Sequence, residues 1–168
     1  MTGVGTPRSR VWIAFLAALA AAVAVVAAAS NAKSSVSAAR HTTRTVTVKT
    51  ARVKGLGTIL VNNKGFTLYM FVPDKQKRVT CKGSCALIWP PLKVKAGSKP
   101  TAGGLARRRL LGTVKNPSGG LVATYNHWPL YTYITDRKPG QATGQAINNS
   151  GGLWYVLSPA GKVIKTKP

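Results

Sequence analysis

An all-β fold, mainly antiparallel and built from hairpins, is predicted for this chain by two observations. The first is an internal repeat, because the heptad LYMFVPD at residues 68–74 recurs as LYTYITD at residues 130–136, an offset of 62 residues. The second is the period-two alternation of apolar residues around both heptads, which is typical of half-buried strands. The fold class is therefore an internally duplicated β domain with one or two short helical turns.

The first 32 residues have the order of a secretory signal. Arg8 and Arg10 precede an uncharged run of 19 residues, 11–29, and small residues follow at 30–32. This order is typical of a signal peptide. An uncleaved anchor helix is the alternative, because the apolar run approaches the roughly 20 residues that cross a membrane. Both interpretations predict an extracytoplasmic protein that is secreted or associated with the cell envelope.

Residues 33–50 are rich in Ser, Thr, Ala and Lys and contain no aromatic residue. Such a segment buries too little apolar area to offset the entropy of ordering, so a flexible tether is expected. Residues 51–168 are then a single β domain made of two repeats, about 55–92 and 112–165. Each copy is too small to bury a core of its own.

Each repeat is expected to begin with a hairpin. The first copy, TILVNNKGFTLYMF, turns at Lys64-Gly65, and the second, LVATYNHWPLYTY, turns at Asn126-His127. Asn tolerates the positive φ that starts such a turn, and His follows it less favourably than glycine would. Further strand candidates are residues 46–53, 154–157 and 163–164. The segment CALIW, residues 85–89, is predicted to form one helical turn that ends at Pro90-Pro91.

The chain has only two acidic residues, Asp74 and Asp136, and each ends one heptad. At the exit of a strand, a short carboxylate accepts hydrogen bonds from backbone N–H groups two or three residues on. Nearby cations, Lys75 and Arg137, are expected to favour the charged form and lower the pKa of each carboxyl group. The repeat motif is therefore predicted to be structural, and its residues are Tyr69, Phe71, Asp74, Tyr131, Tyr133 and Asp136. A cation or ligand held between the copies by the two aspartates is the functional alternative.

Catalytic chemistry has few candidate residues here. The chain contains no glutamate, and its two histidines are His41 in the tether and His127 in a turn. No serine lies in a nucleophile elbow, and a glycosidase-like carboxylate pair remains only formally open. No catalytic residue, metal ligand or cofactor is predicted. The large aromatics, Trp89 and Trp154 among them, are expected to pack in the core.

Cys81 and Cys85 are the only cysteines, and an exported protein with two cysteines usually pairs them. A disulfide that pins the turn before Trp89 is therefore predicted. As an alternative, the two thiolates could bind copper together with Met70 or His127, in an extracytoplasmic redox or copper-handling module.

The formal net charge of +23 is the most unusual property of the composition. Such a surface attracts polyanions. For an exported protein, the expected partner is an anionic cell-wall polymer or a membrane surface, nucleic acid is unlikely, and no small-molecule substrate is identified. The tightest basic cluster, Arg107, Arg108 and Arg109, is the candidate polyanion-binding site. A charge that only keeps the protein soluble is the alternative.

The segment LLGTVKNPSGGLVATYNHWPLYTYITDRKPGQATGQAINNSGGLWYVLSPAG, with its fainter first copy, resembles the bacterial "secreted repeat" family of predicted lipoproteins. The resemblance rests on the Tyr-x-aromatic-x-x-Asp motif with the Cys-x-x-x-Cys and Trp-Pro-Pro elements, and covers about residues 52–165. It implies an exported surface protein of undefined biochemical role. Members named lipoproteins carry a lipidated cysteine after the signal. No cysteine precedes Cys81 here, so lipid anchoring is not expected.

Overall fold

Three small β-sheets form most of the regular structure in residues 45–167, the part of the chain that the computed structural model describes. The strands are β1 Thr47–Val53, β2 Gly57–Asn62, β3 Tyr69–Phe71, β4 Lys93–Val94, β5 Thr101–Ala102, β6 Leu111–Lys115, β7 Leu121–Tyr125, β8 Trp128–Pro129, β9 Asn148–Asn149, β10 Gly152–Leu157 and β11 Val163–Ile164. The helical elements are α1 Ser84–Ile88 and two 3-10 turns, Val72–Asp74 and Arg108–Leu110. The predicted all-β class with short helical turns is confirmed.

The predicted signal or anchor segment, residues 1–32, and residues 33–44 of the predicted tether lie outside the described residues. Within residues 45–167, no helix combines the length and apolar character needed to cross a membrane. Strand β1 starts at Thr47, in agreement with the strand predicted at residues 46–53, so residues 47–50 belong to the sheet and not to the tether that the composition suggested. The burial of these residues fits a strand, because Val48 is fully buried between Thr47 and Lys49, which are more exposed.

Antiparallel pairing dominates all three sheets. The first has the order β2-β1-β5, in which only the β1–β5 contact is parallel. The second has the order β11-β10-β3, with β9 also on β10, and the third has the order β4-β7-β6, with β8 also on β7. The end strands of these orders are therefore β2 and β5, β11 and β3, and β4 and β6. The strands paired with β3 and β4 come from the other repeat.

The turn of the first predicted hairpin forms, but the two strands that it joins diverge soon after it. Gly65 has a φ of +86°, and the Asn62 side-chain oxygen accepts the N–H groups of Lys64 and Phe66 at 2.9 and 3.0 Å. Beyond a single bridge between Val61 and Thr67, the second run leaves β2. It continues as β3, which pairs with β10 of the second repeat. The simple hairpin prediction is therefore corrected for the first copy.

The second hairpin forms as predicted, with β7 and β8 joined at Asn126-His127. Both turn residues have positive φ, +46° and +69°, which is the backbone of the tight turn that joins antiparallel strands. The Asn126 side chain also donates a 3.0 Å hydrogen bond to the Gly161 carbonyl. The helical turn α1 and the β10–β11 pair likewise occur where the sequence predicted them.

The core is shared between the two repeats. One buried cluster combines Ile59, Phe71 and Trp89 of the first copy with Trp154 and Val156 of the second. A second cluster does the same with other residues of both copies, among them Leu60, Met70, Tyr125 and Leu157. Neither repeat therefore has a hydrophobic core of its own, as their small size predicts.

The His127 position provides a direct test of this backbone description. We expect His127→Gly to raise the free energy of unfolding by about 0.5–1 kcal/mol, because glycine adopts a φ of +69° without strain and part of that gain is offset by its greater freedom when unfolded. Asn126→Gly is the matched control and should bring no gain, since it deletes the bond to Gly161. Urea denaturation of both variants measures the difference. Equal destabilisation by the two changes would contradict the description.

Candidate functional site

The two motif tyrosines, Tyr69 and Tyr131, lie at equivalent positions in the two repeats and pair with each other. The Tyr69 N–H donates to the Tyr131 carbonyl at 2.9 Å, and the Tyr131 N–H donates to the Tyr69 carbonyl at 3.0 Å. Both side chains are fully buried. We call this pair the bridge tyrosines. The two halves of the motif are thus joined by backbone hydrogen bonds at the centre of the domain.

Each bridge tyrosine donates its phenolic hydrogen bond to the aspartate of the other repeat. The Tyr69 hydroxyl donates to Asp136 Oδ2 at 2.8 Å, and the Tyr131 hydroxyl donates to Asp74 Oδ2 at 2.6 Å. Both bonds are buried and short, as expected for a hydroxyl that donates to a carboxylate. The Tyr and Asp of one motif therefore do not bond to each other. Each tyrosine bonds to the aspartate of the other repeat.

The second oxygen of each aspartate closes a loop within its own repeat. Asp74 Oδ1 accepts the N–H and the hydroxyl of Thr80 at 2.8 and 2.7 Å. Asp136 Oδ1 accepts the same two groups of Thr143 at 2.9 and 2.7 Å. The turn-fixing role of the aspartates is thus seen, but the donors lie six and seven residues on instead of two or three. A threonine, which offers both groups at once, is the residue that sequence reasoning missed.

The charge environment of the aspartates differs from the expectation. Asp74 is fully buried and Asp136 is 5% exposed, whereas Lys75 and Arg137 are exposed. Burial raises the pKa of Asp74, because removal from water penalises the charged form more than the bonds from Tyr131 and Thr80 favour it. The expected lowering of the Asp74 pKa by a neighbouring cation is therefore wrong.

The hydroxyls of the bridge tyrosines remain protonated donors at any ordinary pH. Burial raises the pKa of Tyr69, and the negative charge of Asp136 raises it further. Burial and the charge of Asp74 act on the pKa of Tyr131 in the same direction. Each phenol thus keeps the proton that its partner carboxylate needs.

Four aromatic rings from both repeats form a continuous stack beside the bridge tyrosines. Phe71 stacks on Trp154 at 4.1 Å, Trp154 on Trp89 at 3.8 Å, and Trp89 on Tyr133 at 3.9 Å, with interplanar angles of 17° or less. Tyr69 meets Trp89 edge-on, and Tyr131 meets Trp154 edge-on. The aromatic residues of the motif thus pack in the core, as predicted, and Trp89 and Trp154 offer no exposed platform for a ligand.

Cys81 and Cys85 form the predicted disulfide. Cys81 is buried in the shared core, and Cys85 lies in α1, where its carbonyl accepts the Trp89 N–H at 2.8 Å. The bond therefore connects the loop that closes on Asp74 to the turn that positions Trp89. In this oxidised state, neither sulfur is a thiolate that could bind copper. Among residues 45–167, no three His, Cys, Asp or Glu side chains cluster to hold a metal ion.

The basic cluster Arg107, Arg108 and Arg109 lies on the exposed segment that leads into β6. A second group of cations, Lys77, Arg78 and Lys82, follows the first motif and lines a depression beside the same strand. The two groups are more than 20 residues apart in sequence and meet only in the fold. Sequence reasoning missed the second group, although the run KQKR at residues 75–78 is a visible signal of it.

A family model described as "secreted repeat of unknown function" matches residues 50–93 and 112–158, once for each repeat and more than half of the chain. This chain belongs to that secreted-repeat family. The resemblance stated above is confirmed, and the family description supports an extracytoplasmic location. Searches among curated proteins and among solved structures found no match.

In this member of the secreted-repeat family, the cross-repeat bonds can be tested by removing one hydroxyl. We expect Tyr131→Phe to lower the free energy of unfolding by about 1–3 kcal/mol, because it leaves a buried carboxylate oxygen of Asp74 without its donor. Tyr69→Phe should cost a similar amount through Asp136. Urea denaturation at neutral pH measures both.

Tyr155→Phe is the matched control for these two changes. Tyr155 is half-buried, and none of the side-chain hydrogen bonds found within residues 45–167 involves its hydroxyl. Its removal should change stability by no more than about 0.5 kcal/mol. If Tyr131→Phe proved as mild as this control, the phenol–carboxylate bond would contribute nothing measurable.

The raised pKa of Asp74 fixes the sign of a pH dependence. Between its ordinary value of 3.8 and the higher folded value, the folded state binds more protons than the unfolded state, so the Asp74 contribution to stability increases as pH falls. We expect the stability of the parent protein relative to Asp74→Asn to be greater at pH 3 than at pH 7. Urea denaturation of both proteins at each pH measures it. A parent protein that lost stability on acidification relative to Asp74→Asn would show a lowered pKa instead.

Proposed function

We propose that this secreted-repeat protein is a non-enzymatic binding protein that attaches by charge to anionic polymers of the cell envelope. The observation that carries the proposal is the separation of charges by sign. Every lysine and arginine of residues 45–167 is exposed, while both aspartates are buried. No side-chain carboxylate is therefore exposed on this part of the chain to oppose the approach of a polyanion.

A surface of one sign attracts polyanions over a distance set by salt. At physiological ionic strength the screening length is about 8 Å, so cations spread over several loops act together on a long polymer and weakly on a small ion. A flexible anionic polymer also releases counterions when it binds, which adds to affinity and makes it salt-dependent. An extracytoplasmic protein meets wall polymers and anionic lipids more often than nucleic acid, which favours one of the first two as the partner.

The arrangement of polar side chains supports a role without catalysis. Both carboxylates are occupied by tyrosine and threonine donors, so they lack the free oxygen that a general base needs. His127 is exposed at a hairpin turn. The alternative of copper handling would require reduction of the Cys81–Cys85 disulfide before either sulfur could bind metal.

Arg107, Arg108 and Arg109 act in this proposal as one portion of a distributed surface. All three are exposed, as are cations on loops elsewhere in the domain, including Lys162, Lys165 and Lys167 near the end of the chain. A distributed surface predicts that equal numbers of cations removed at different places have similar effects on polymer binding.

Retention on immobilised polyphosphate tests this proposal. We expect the parent protein to be held at about 50 mM salt and released well below about 500 mM, because counterion release dominates. Changing Arg107, Arg108 and Arg109 to Gln should reduce the salt slope by about one for each side chain that no longer binds a phosphate of the polymer. The matched control changes Lys162, Lys165 and Lys167 to Gln and should reduce the slope to a similar extent.

Two results would contradict the proposal. Binding that persists at about 500 mM salt would indicate a specific pocket in place of distributed attraction. Complete loss of binding in the Arg107–Arg109 variant alone, with the control unchanged, would place the whole activity in that cluster.

A further inference from the structure

Within residues 45–167, one edge of strand β6 has no strand beside it. In this part of the chain β6 pairs only with β7, and the register of that pair is fixed by the bonds from the Asn126 N–H to the Leu110 carbonyl and from the Asn116 N–H to the Gly120 carbonyl. In this register the backbone N–H and C=O groups of Gly112 and Val114 point toward β7. Those of Thr113 and Lys115 therefore point to the open edge. Both residues are exposed. Such an edge is a template for another strand.

A groove lies beside β6, between this strand and residues 77–82, and one end of it reaches Thr124, Asn126 and His127 of β7 and its turn. Two depressions of about 440 and 430 Å³ share Lys77, Val114 and Lys115 among their lining residues, and together they form what we call the β6 groove. Arg109 lines one depression, and Arg78 and Lys82 line the other. Thr113 and Lys115, the two edge residues of β6, line the same depression as Lys77 and Arg109.

The segment that leads into the wall opposite β6 has an unusual backbone, and of its three residues Lys77 lines the groove. Lys75, Gln76 and Lys77 have φ values of +43°, +45° and +65°, and none of them is glycine. Consecutive left-handed residues other than glycine are strained, because Cβ lies too close to the following carbonyl oxygen. The run is held by the Lys77 N–H, which donates to the His127 carbonyl at 2.7 Å. Backbone strain of this kind is found at functional sites more often than elsewhere.

We propose that the β6 groove binds an extended acidic segment of a partner protein, which adds to β6 as a further strand. The bound segment exchanges backbone hydrogen bonds with Thr113 and Lys115, and its carboxylates face Lys77, Arg78 and Arg109. Strand addition supplies affinity through the main chain, and the charged walls select the acidic partner. This site goes beyond distributed attraction, because it requires a backbone and a register.

The chemistry of the edge favours a peptide over the other polyanions. The open edge of β6 presents donors and acceptors in alternation at Thr113 and Lys115, and a peptide strand matches both. A polyphosphate offers acceptors only and would leave the two carbonyls unpaired. A second copy of the chain would bring Lys115 and Arg109 against the same cations, which disfavours pairing of two such edges.

Thr113→Pro is the variant that tests this site. The Thr113 N–H points away from β7, so proline there removes an edge donor and blocks the approach of a strand without breaking a bond of the sheet. The probe is an acidic peptide of alternating glutamate and valine. We expect its affinity for Thr113→Pro to fall roughly tenfold or more, since the variant deletes at least one backbone bond and keeps the two strands apart. Thr113→Val keeps the N–H and should bind like the parent protein.

Retention on polyphosphate separates this site from general attraction. Thr113→Pro leaves the net charge unchanged, so polyphosphate retention should stay the same while peptide affinity falls. An equal loss of both would contradict a peptide-specific site, and so would an unchanged peptide affinity. If the parent protein bound the acidic peptide as expected but was not retained on polyphosphate, the β6 site would be supported and the distributed attraction would not.

Hydrogen exchange on the parent protein gives a second measurement that does not depend on a variant. Saturating peptide should slow exchange of the Thr113 and Lys115 amides, whereas the Gly112 and Val114 amides, already bonded to β7, should change little. Polyphosphate should protect neither edge amide. The proposal is overturned if the peptide fails to protect Thr113 and Lys115, or if the protein self-associates and protects them without peptide.

Discussion

Two buried carboxylates, each of which takes a hydrogen bond from a tyrosine of the other repeat, are the constraint on which this structure depends. A carboxylate removed from water needs hydrogen-bond donors. A buried carboxylate without donors lowers the free energy of unfolding by more than an ordinary hydrogen bond raises it. Here Asp74 obtains two donors from Thr80 of its own repeat and one from Tyr131 of the other, and Asp136 mirrors this arrangement with Thr143 and Tyr69. Neither repeat can meet its own requirement, so the two fold as one unit.

The intertwined pairing follows from the same constraint. Because the bridge tyrosines meet at the centre, β3 of the first repeat lies beside β10 of the second, and the segment after Tyr131 lies beside Pro90 and Pro91 of the first. The ring stack lies between them. With both aspartates used inside, the side-chain charge exposed by residues 45–167 is all positive. The interaction that holds the core therefore also sets the electrostatics of the surface.

Features that depend on a local sequence pattern could be predicted. Features that depend on which repeat supplies the bonding partner could not. The repeat, the second hairpin, α1 and the disulfide follow from periodicity, turn residues and cysteine count. The cross-repeat bonds do not, because each motif contains both a tyrosine and an aspartate, and the pattern is the same whether they bond within a copy or between copies. The sign of the Asp74 pKa shift was missed for a related reason, since burial cannot be read from a neighbouring Lys75. The β6 groove joins residues 77–82 to β6, and no local pattern connects them.

The claim that the two repeats fold only as one unit is tested most directly by dividing the chain between Gly104 and Leu105. Fragments 45–104 and 105–167 each contain one repeat, and Trp89 and Trp154, whose rings stack at 3.8 Å, are then on different fragments. Near-ultraviolet circular dichroism, measured for each fragment and for the equimolar mixture, reports this packing. We expect no fixed aromatic signal from either fragment alone and a cooperative signal from the mixture. A fragment that folded alone with a native-like signal would contradict it.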